Sequence, residues 1–113
     1  MKIAVSSDGK TLEDDVSDVF GRCKYFIIVE VKDKKIVKTD VIKNTSAQQM
    51  GGAGISAAQL VANKDVKIVI VESIGPRAME VFNQFDILVY KKSGKIKDIL
   101  NYIIKAELDK AKK

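Results

Sequence analysis

Hydrophobic and polar positions change period several times along this chain, and each change marks an element. Ile3-Ala4-Val5 is a short apolar run stopped by Ser6-Ser7-Asp8-Gly9, a strand that ends in a turn. Thr11 to Gly21 is polar and acidic, with Leu12, Val16, Val19 and Phe20 as its apolar anchors. It reads as a loop with room for one helical turn. Tyr25–Val31 is β-branched and aromatic and alternates beyond Ile28. Asp33-Lys34-Lys35 turns the chain, and Ile36–Ile42 returns as the second arm of a hairpin.

The second half has a different rhythm. Ile55, Ala58, Val61 and Ala62 share one face of a helix predicted from about Ile55 to Ala62. Lys67–Val71 is a short continuous apolar run, the pattern of a central strand covered on both faces. Pro76 suits the first turn of a helix, along which Ala78, Val81, Phe82 and Phe85 follow the i, i+3, i+4, i+7 rule. Ile87–Tyr90 is the next strand. Ser93-Gly94 then leads into a last amphipathic helix with Ile96, Ile99, Leu100 and Ile103 on one stripe. The predicted order is β-β-β-α-β-α-β-α. A hairpin followed by βαβ-type crossovers implies an α/β domain with a mixed sheet and helices on its faces, spanning 1–113 as one unit.

Composition narrows the class. Apolar residues make up 46% and charged residues 31%, as in a globular protein. The longest tight apolar runs, Tyr25–Val29 and Ile68–Val71, are far too short to span a membrane, and no signal peptide is expected. A lone cysteine, Cys23, points to a reducing cytoplasmic setting. The net charge of +5 is dispersed, and Lys105–Lys113 reads as a frayed basic tail that contributes part of it. With two arginines and no tryptophan, a nucleic-acid partner is not expected. The lysine-rich, glutamine-poor surface suits a thermophile. The chain has no histidine, which removes Ser–His and Cys–His catalysis and histidine metal ligation together.

Candidate chemistry gathers between Asn44 and Glu80. No charged residue occurs from Asn44 to Asn63, and two glycine corners, Gly51-Gly52-Ala53-Gly54 and Gly75-Pro76-Arg77, each open a helix. Such corners leave backbone N–H groups free for an anion. At Gly75-Pro76-Arg77, glycine permits the turn and Arg77 places a cation where the helix dipole disfavours it, which suggests an anionic partner; the plainer alternative is that Arg77 is solvated or pairs with Glu80 or Glu72. Gly52 to Ala57 also matches G-x-G-x-x-A, with Glu72 at the end of the next strand. The preceding strand does not run into the glycines, so nicotinamide binding is rejected.

Phe20-Gly21-Arg22-Cys23 puts a thiol beside a cation, as a soft ligand or as a small buried residue. Met50 is a thioether ligand or a packing residue. Asp8 and Glu72, at the ends of strands expected to be neighbours, could hold Mg²⁺ for phosphoryl chemistry, although a turn aspartate and a solvated glutamate are the plainer reading.

Met1-Lys2-Ile3-Ala4-Val5, Phe20-Gly21-Arg22 before a Tyr-Phe strand, Gly51-Gly52-Ala53-Gly54 and Ile74-Gly75-Pro76-Arg77-Ala78 together resemble the dinitrogenase iron–molybdenum cofactor biosynthesis family, the NifX-type accessory domains. The resemblance implies a ribonuclease H-like fold with a five-stranded mixed sheet. It also implies a non-catalytic role in carrying an iron–sulfur or iron–molybdenum cluster precursor between donor and acceptor proteins, as a monomer or homodimer. This chain has Val19 where the family often has histidine, Gln48, Gln49 and Met50 where many members carry further histidines, and Glu72 and Ser73 in place of glycines. Cys23 is then the expected metal ligand. The site implied is the pocket between Ser7-Asp8, Phe20–Cys23, Met50–Gly54 and Gly75–Arg77, with arginines as charge partners and glycine amides as donors. The alternatives are a binding module for a phosphate-containing small molecule and, third, a Mg²⁺-dependent nuclease or phosphatase.

Overall fold

A computed structural model describes residues 1–111. Lys112 and Lys113, the end of the expected basic tail, lie outside the described residues. The elements are β1 (Lys2–Ser7), β2 (Tyr25–Lys32), β3 (Lys35–Lys43), α1 (Ala53–Ala62), β4 (Ile68–Val71), α2 (Pro76–Gln84), β5 (Leu88–Lys91) and α3 (Ile96–Ala111). The five strands form one mixed sheet in the order β3-β2-β1-β4-β5. β3, β2 and β1 are antiparallel neighbours, and β1, β4 and β5 are parallel. Among the described residues no helix is long and apolar enough to cross a membrane.

Strand alternation divides the apolar residues between two cores. Ala4, Phe26, Ile28, Val69 and Val71 face α1 and α2, where they meet Ala57, Ala58, Val61, Ala78 and Phe82. Ile3, Val5, Ile27, Val29, Ile68 and Ile70 face α3 and meet Ile96, Ile99, Leu100 and Ile103. β4 is buried at every position because it lies inside the sheet with helices over both faces. Burying each of these large side chains is worth about 1.5–3 kcal/mol. The hairpin closes through Asp33 and Lys34, both left-handed at φ 52° and 65°, the two-residue turn whose twist matches the strands.

Several expectations need correction. The segment Thr11–Gly21 contains no helix; it is held by isolated bridges, Ser7 with Val16 and Asp15 with Lys95, and Val19 is half exposed instead of an anchor. α1 begins at Ala53, two residues early, so Gly54 is helical and the fully buried small residues are Ala57 and Ala58. Phe85 is exposed because it is the C-terminal cap of α2 and its backbone has left the helical stripe. α3 continues to Ala111, so Lys105 to Ala111 is helical and not frayed.

Candidate functional site

The parallel strands β1 and β4 lie side by side, but the chain leaves them in opposite directions: from β1 towards β2, and from β4 through α2 towards β5. Open α/β sheets bind ligands at such a divergence, outside the carboxyl ends of the strands. A cleft of about 380 Å³ occurs at this end. One wall is Val19–Arg22, a second is Gly52–Ile55 at the start of α1, and the third is Gly75–Ala78 at the start of α2.

Backbone bonds bring the first and third walls together. Phe20 N–H donates to Ser73 O at 2.9 Å, Val19 forms a parallel bridge with Ser73, and Ser73 Oγ donates to Asp18 O at 2.6 Å. Phe20 fixes the floor, its ring 5.5 Å from Phe26 and 5.4 Å from Phe82. The first and second walls meet at glycines. Gly21 is left-handed at φ +96°, and a Cβ on it would lie 2.9 Å from Gly54 Cα.

Both helices present bare N-termini. Gly52 and Gly75 are the N-caps, and neither helix has a side-chain cap hydrogen bond. The first intrahelical bonds close at Ser56 N–H to Gly52 O and Met79 N–H to Gly75 O. The amides of Ala53, Gly54, Ile55, Arg77 and Ala78 therefore precede the helical ladders, at the positive ends of two dipoles. Gly52 needs its glycine, at φ +70°. Gly75 does not: φ −76° and ψ 162° is extended backbone open to any residue, and space around it is empty. Its missing side chain keeps the cleft open and has nothing to do with permitting the turn.

The two arginines differ. Arg22 Nη1 donates to Ala47 O at 2.9 Å and Gln49 O at 2.6 Å, so it staples the uncharged loop to the cleft wall. Arg77 is exposed in the cleft, and among the described residues it has no carboxylate partner. Among the described residues no acidic side chain lines the cleft.

Other expected site residues lie elsewhere. Cys23 is 1% exposed in the α1/α2 core, and burial pushes its thiol pKa up to about 11, against weaker opposing hydrogen bonds from the Ser7 and Gly21 backbones and Asn44. A protonated thiol facing the core is not placed to ligate anything in the cleft. Ser7 is buried, its hydroxyl donating to Gly9 O at 2.6 Å. Met50 is 99% exposed and Gly51 is exposed, and neither lines the cleft. Asp8 and Glu72 do end adjacent strands. Glu72 is held above the usual carboxylate range by desolvation, then by the charge and hydrogen bond of Asp18 and the charge of Asp8. Among the described residues no three metal-binding side chains come together in a group suited to a cation.

Sequence reasoning missed Ile55 and Ala78 as lining residues, and Val19 as more than an anchor. It also missed Asn44. This buried amide donates through Nδ2 to Gly21 O at 3.0 Å and Cys23 O at 2.9 Å, while Oδ1 accepts from Ser46 N–H. Its position at the start of the uncharged stretch was the only signal.

Known proteins are similar to this chain in sequence and overall fold. An uncharacterized protein of Methanocaldococcus jannaschii, MJ0580, is 39% identical over 111 residues, covering 97% of this chain and 91% of its own. The apo form of the orange protein from Desulfovibrio gigas superposes with a TM-score of 0.85 at 25% identity, over 93% of this chain and 88% of that one. The crystal structure of PH0822 gives 0.80 at 26% identity, over 94% and 92%. Residues 1–106 match the dinitrogenase iron-molybdenum cofactor family, and the chain belongs to that family.

Proposed function

We propose that this protein is a non-catalytic carrier whose cleft holds an anionic iron–sulfur or iron–molybdenum cluster precursor through hydrogen bonds and charge. The observation that carries the reading is the convergence of two uncapped helix N-termini and Arg77 on one cleft free of acidic side chains. A helix N-terminus with free amides favours negative charge. The donor set fits an anion held by its outer atoms. It does not fit coordination through protein sulfur or imidazole, since Cys23 faces the core and the chain has no histidine. The family supports the cargo class. In this reading residues 1–113 act as one cytoplasmic domain of ribonuclease H-like topology, exchanging cargo with a donor or acceptor protein. The residues engaged are Phe20, Gly21, Arg22, Gly52, Gly54, Gly75, Pro76 and Arg77.

A phosphate-containing small molecule is the second reading, favoured by the same lack of coordinating side chains in the cleft. Anaerobic titration with isolated iron–molybdenum cofactor and with a thiomolybdate, followed by absorption and thermal shift, tests the first reading. Nucleotides and inorganic phosphate form the second arm. Saturable binding of the metal–sulfur anions that Arg77→Ala weakens about tenfold or more and Cys23→Ala preserves supports the carrier. Stabilisation by nucleotides alone would overturn it.

A further inference from the structure

A second pocket, of about 240 Å³, lies outside the cleft where β2 begins and β3 ends. It is lined by Lys24, Tyr25, Lys43, Asn44, Ala47 and Gln48. Strand pairing builds it. Tyr25 opens β2 opposite Ser7 of β1 on one side and Lys43, the last residue of β3, on the other. The uncharged loop then leaves the strand ends, fixed where Asn44 N–H donates to Lys24 O at 2.9 Å. Lys10, in the loop after β1, lies over the Tyr25 ring with its Nζ 5.5 Å from the ring centroid.

Three segments distant in sequence thus bring three cations to the neighbourhood of one aromatic ring. Among the described residues none of Lys10, Lys24 and Lys43 has a carboxylate partner, whereas Lys38 pairs with Asp40, and Lys95 and Lys97 share Glu13. Among the described residues no acidic side chain lines the pocket either. The loop brings none, because no charged residue occurs from Asn44 to Asn63. Like charges gathered in this way repel one another, and an anionic partner relieves the repulsion.

The form of the cations selects the partner. Arginine offers a planar fork matched to one carboxylate or phosphate, whereas lysine is a point charge on a flexible stem. Lys24 and Lys43 line the pocket while Lys10 lies beyond it on the ring, so the positive charge extends along the surface. A row of carboxylates meets such a layout, and an extended segment presents them on one side about every 7 Å. Tyr25, half-buried between the lysines, adds the aromatic surface and hydroxyl that protein interfaces favour.

We infer that this pocket docks an acidic segment of a partner protein, its carboxylates set against Lys10, Lys24 and Lys43. Naming that partner as the donor or acceptor of cargo rests on the carrier reading, but the docking itself does not. The position suits exchange. Arg22, on the cleft wall, holds Ala47 O and Gln49 O, so the loop that lines the pocket is anchored at the cleft.

Titration of the ¹⁵N-labelled full chain with capped hexaglutamate at low ionic strength, followed by amide chemical shifts, tests the inference. Saturable shifts should centre on Lys10, Lys24, Tyr25 and residues 43–48. The double change K24E/K43E alters two exposed side chains and should weaken binding about tenfold or more, with the amide spectrum reporting that the fold is kept. K64E/K67E makes the same change in net charge at the opposite end of the sheet and should leave binding within about twofold. Arg77→Ala should leave peptide binding unchanged, which separates this pocket from the cargo cleft. Shifts centred on the cleft overturn the inference, as do equal losses in the two charge-reversed variants or the absence of saturable shifts. Inorganic phosphate that binds the pocket as tightly as the peptide also overturns it, in favour of a small-anion site.

Discussion

Gly21 and Gly54 approach so closely that neither wall of the cleft can be described without the other. A Cβ on Gly21 would meet Gly54 Cα at 2.9 Å and Gly54 N at 3.1 Å, and Gly21 itself is left-handed. Backbone strain and backbone contact therefore act at one residue. Gly21→Ala should cost about 1–3 kcal/mol of stability, read as a lower midpoint in urea unfolding. An unchanged midpoint would mean that the two walls are separable.

The arginines predict opposite phenotypes. Arg77→Ala removes an exposed cation with no carboxylate partner, so stability should hold within about 0.5 kcal/mol while anion binding falls about tenfold or more. Arg22→Ala frees Ala47 O and Gln49 O from their shared donor and should cost about 1 kcal/mol, with binding weakened through the loosened loop. Thermal melts beside an anion titration of both variants separate the two roles.

Cys23 should behave as a sealed thiol. Folding raises its pKa from 9.0 to about 11, so the native state holds the proton more tightly than the unfolded chain. The stability linked to this group is fully present below pH 9.0 and declines as pH rises towards about 11. Iodoacetamide at neutral pH should leave the native protein unmodified and label it only once denaturant unfolds it. Rapid labelling of the native protein would contradict this placement.

Glu72 gives a second pH dependence. Its raised pKa means that the ionised carboxylate is disfavoured in the native state, beside Asp18 and Asp8. The associated loss of stability is absent well below pH 4.5 and develops as pH rises through the carboxylate range. Glu72→Gln should raise the melting temperature slightly at pH 7 and leave it unchanged at pH 3.5, about a unit below the ordinary carboxylate value. An equal effect at both values would assign the change to packing.

What was legible in the sequence followed from periodicity. β4 declared itself as a covered strand by four consecutive β-branched residues, and α3 by Ile96, Ile99, Leu100 and Ile103. Both glycine corners were visible because glycine admits backbone conformations that other residues avoid and proline fixes φ. Tertiary placement was not visible. Phe20-Gly21-Arg22-Cys23 sends Arg22 to the cleft and Cys23 to the core, because adjacent side chains diverge as the chain enters β2. Asn44 joins segments more than twenty residues apart through its two Nδ2 hydrogen bonds, to Gly21 O and Cys23 O, which no local pattern encodes.

Gly75 lies on backbone any amino acid accepts, beside open space. Its identity is therefore released from the demands of folding, unlike that of Gly21. Evolution can vary side-chain bulk at this one position and so regulate the aperture without disturbing the scaffold.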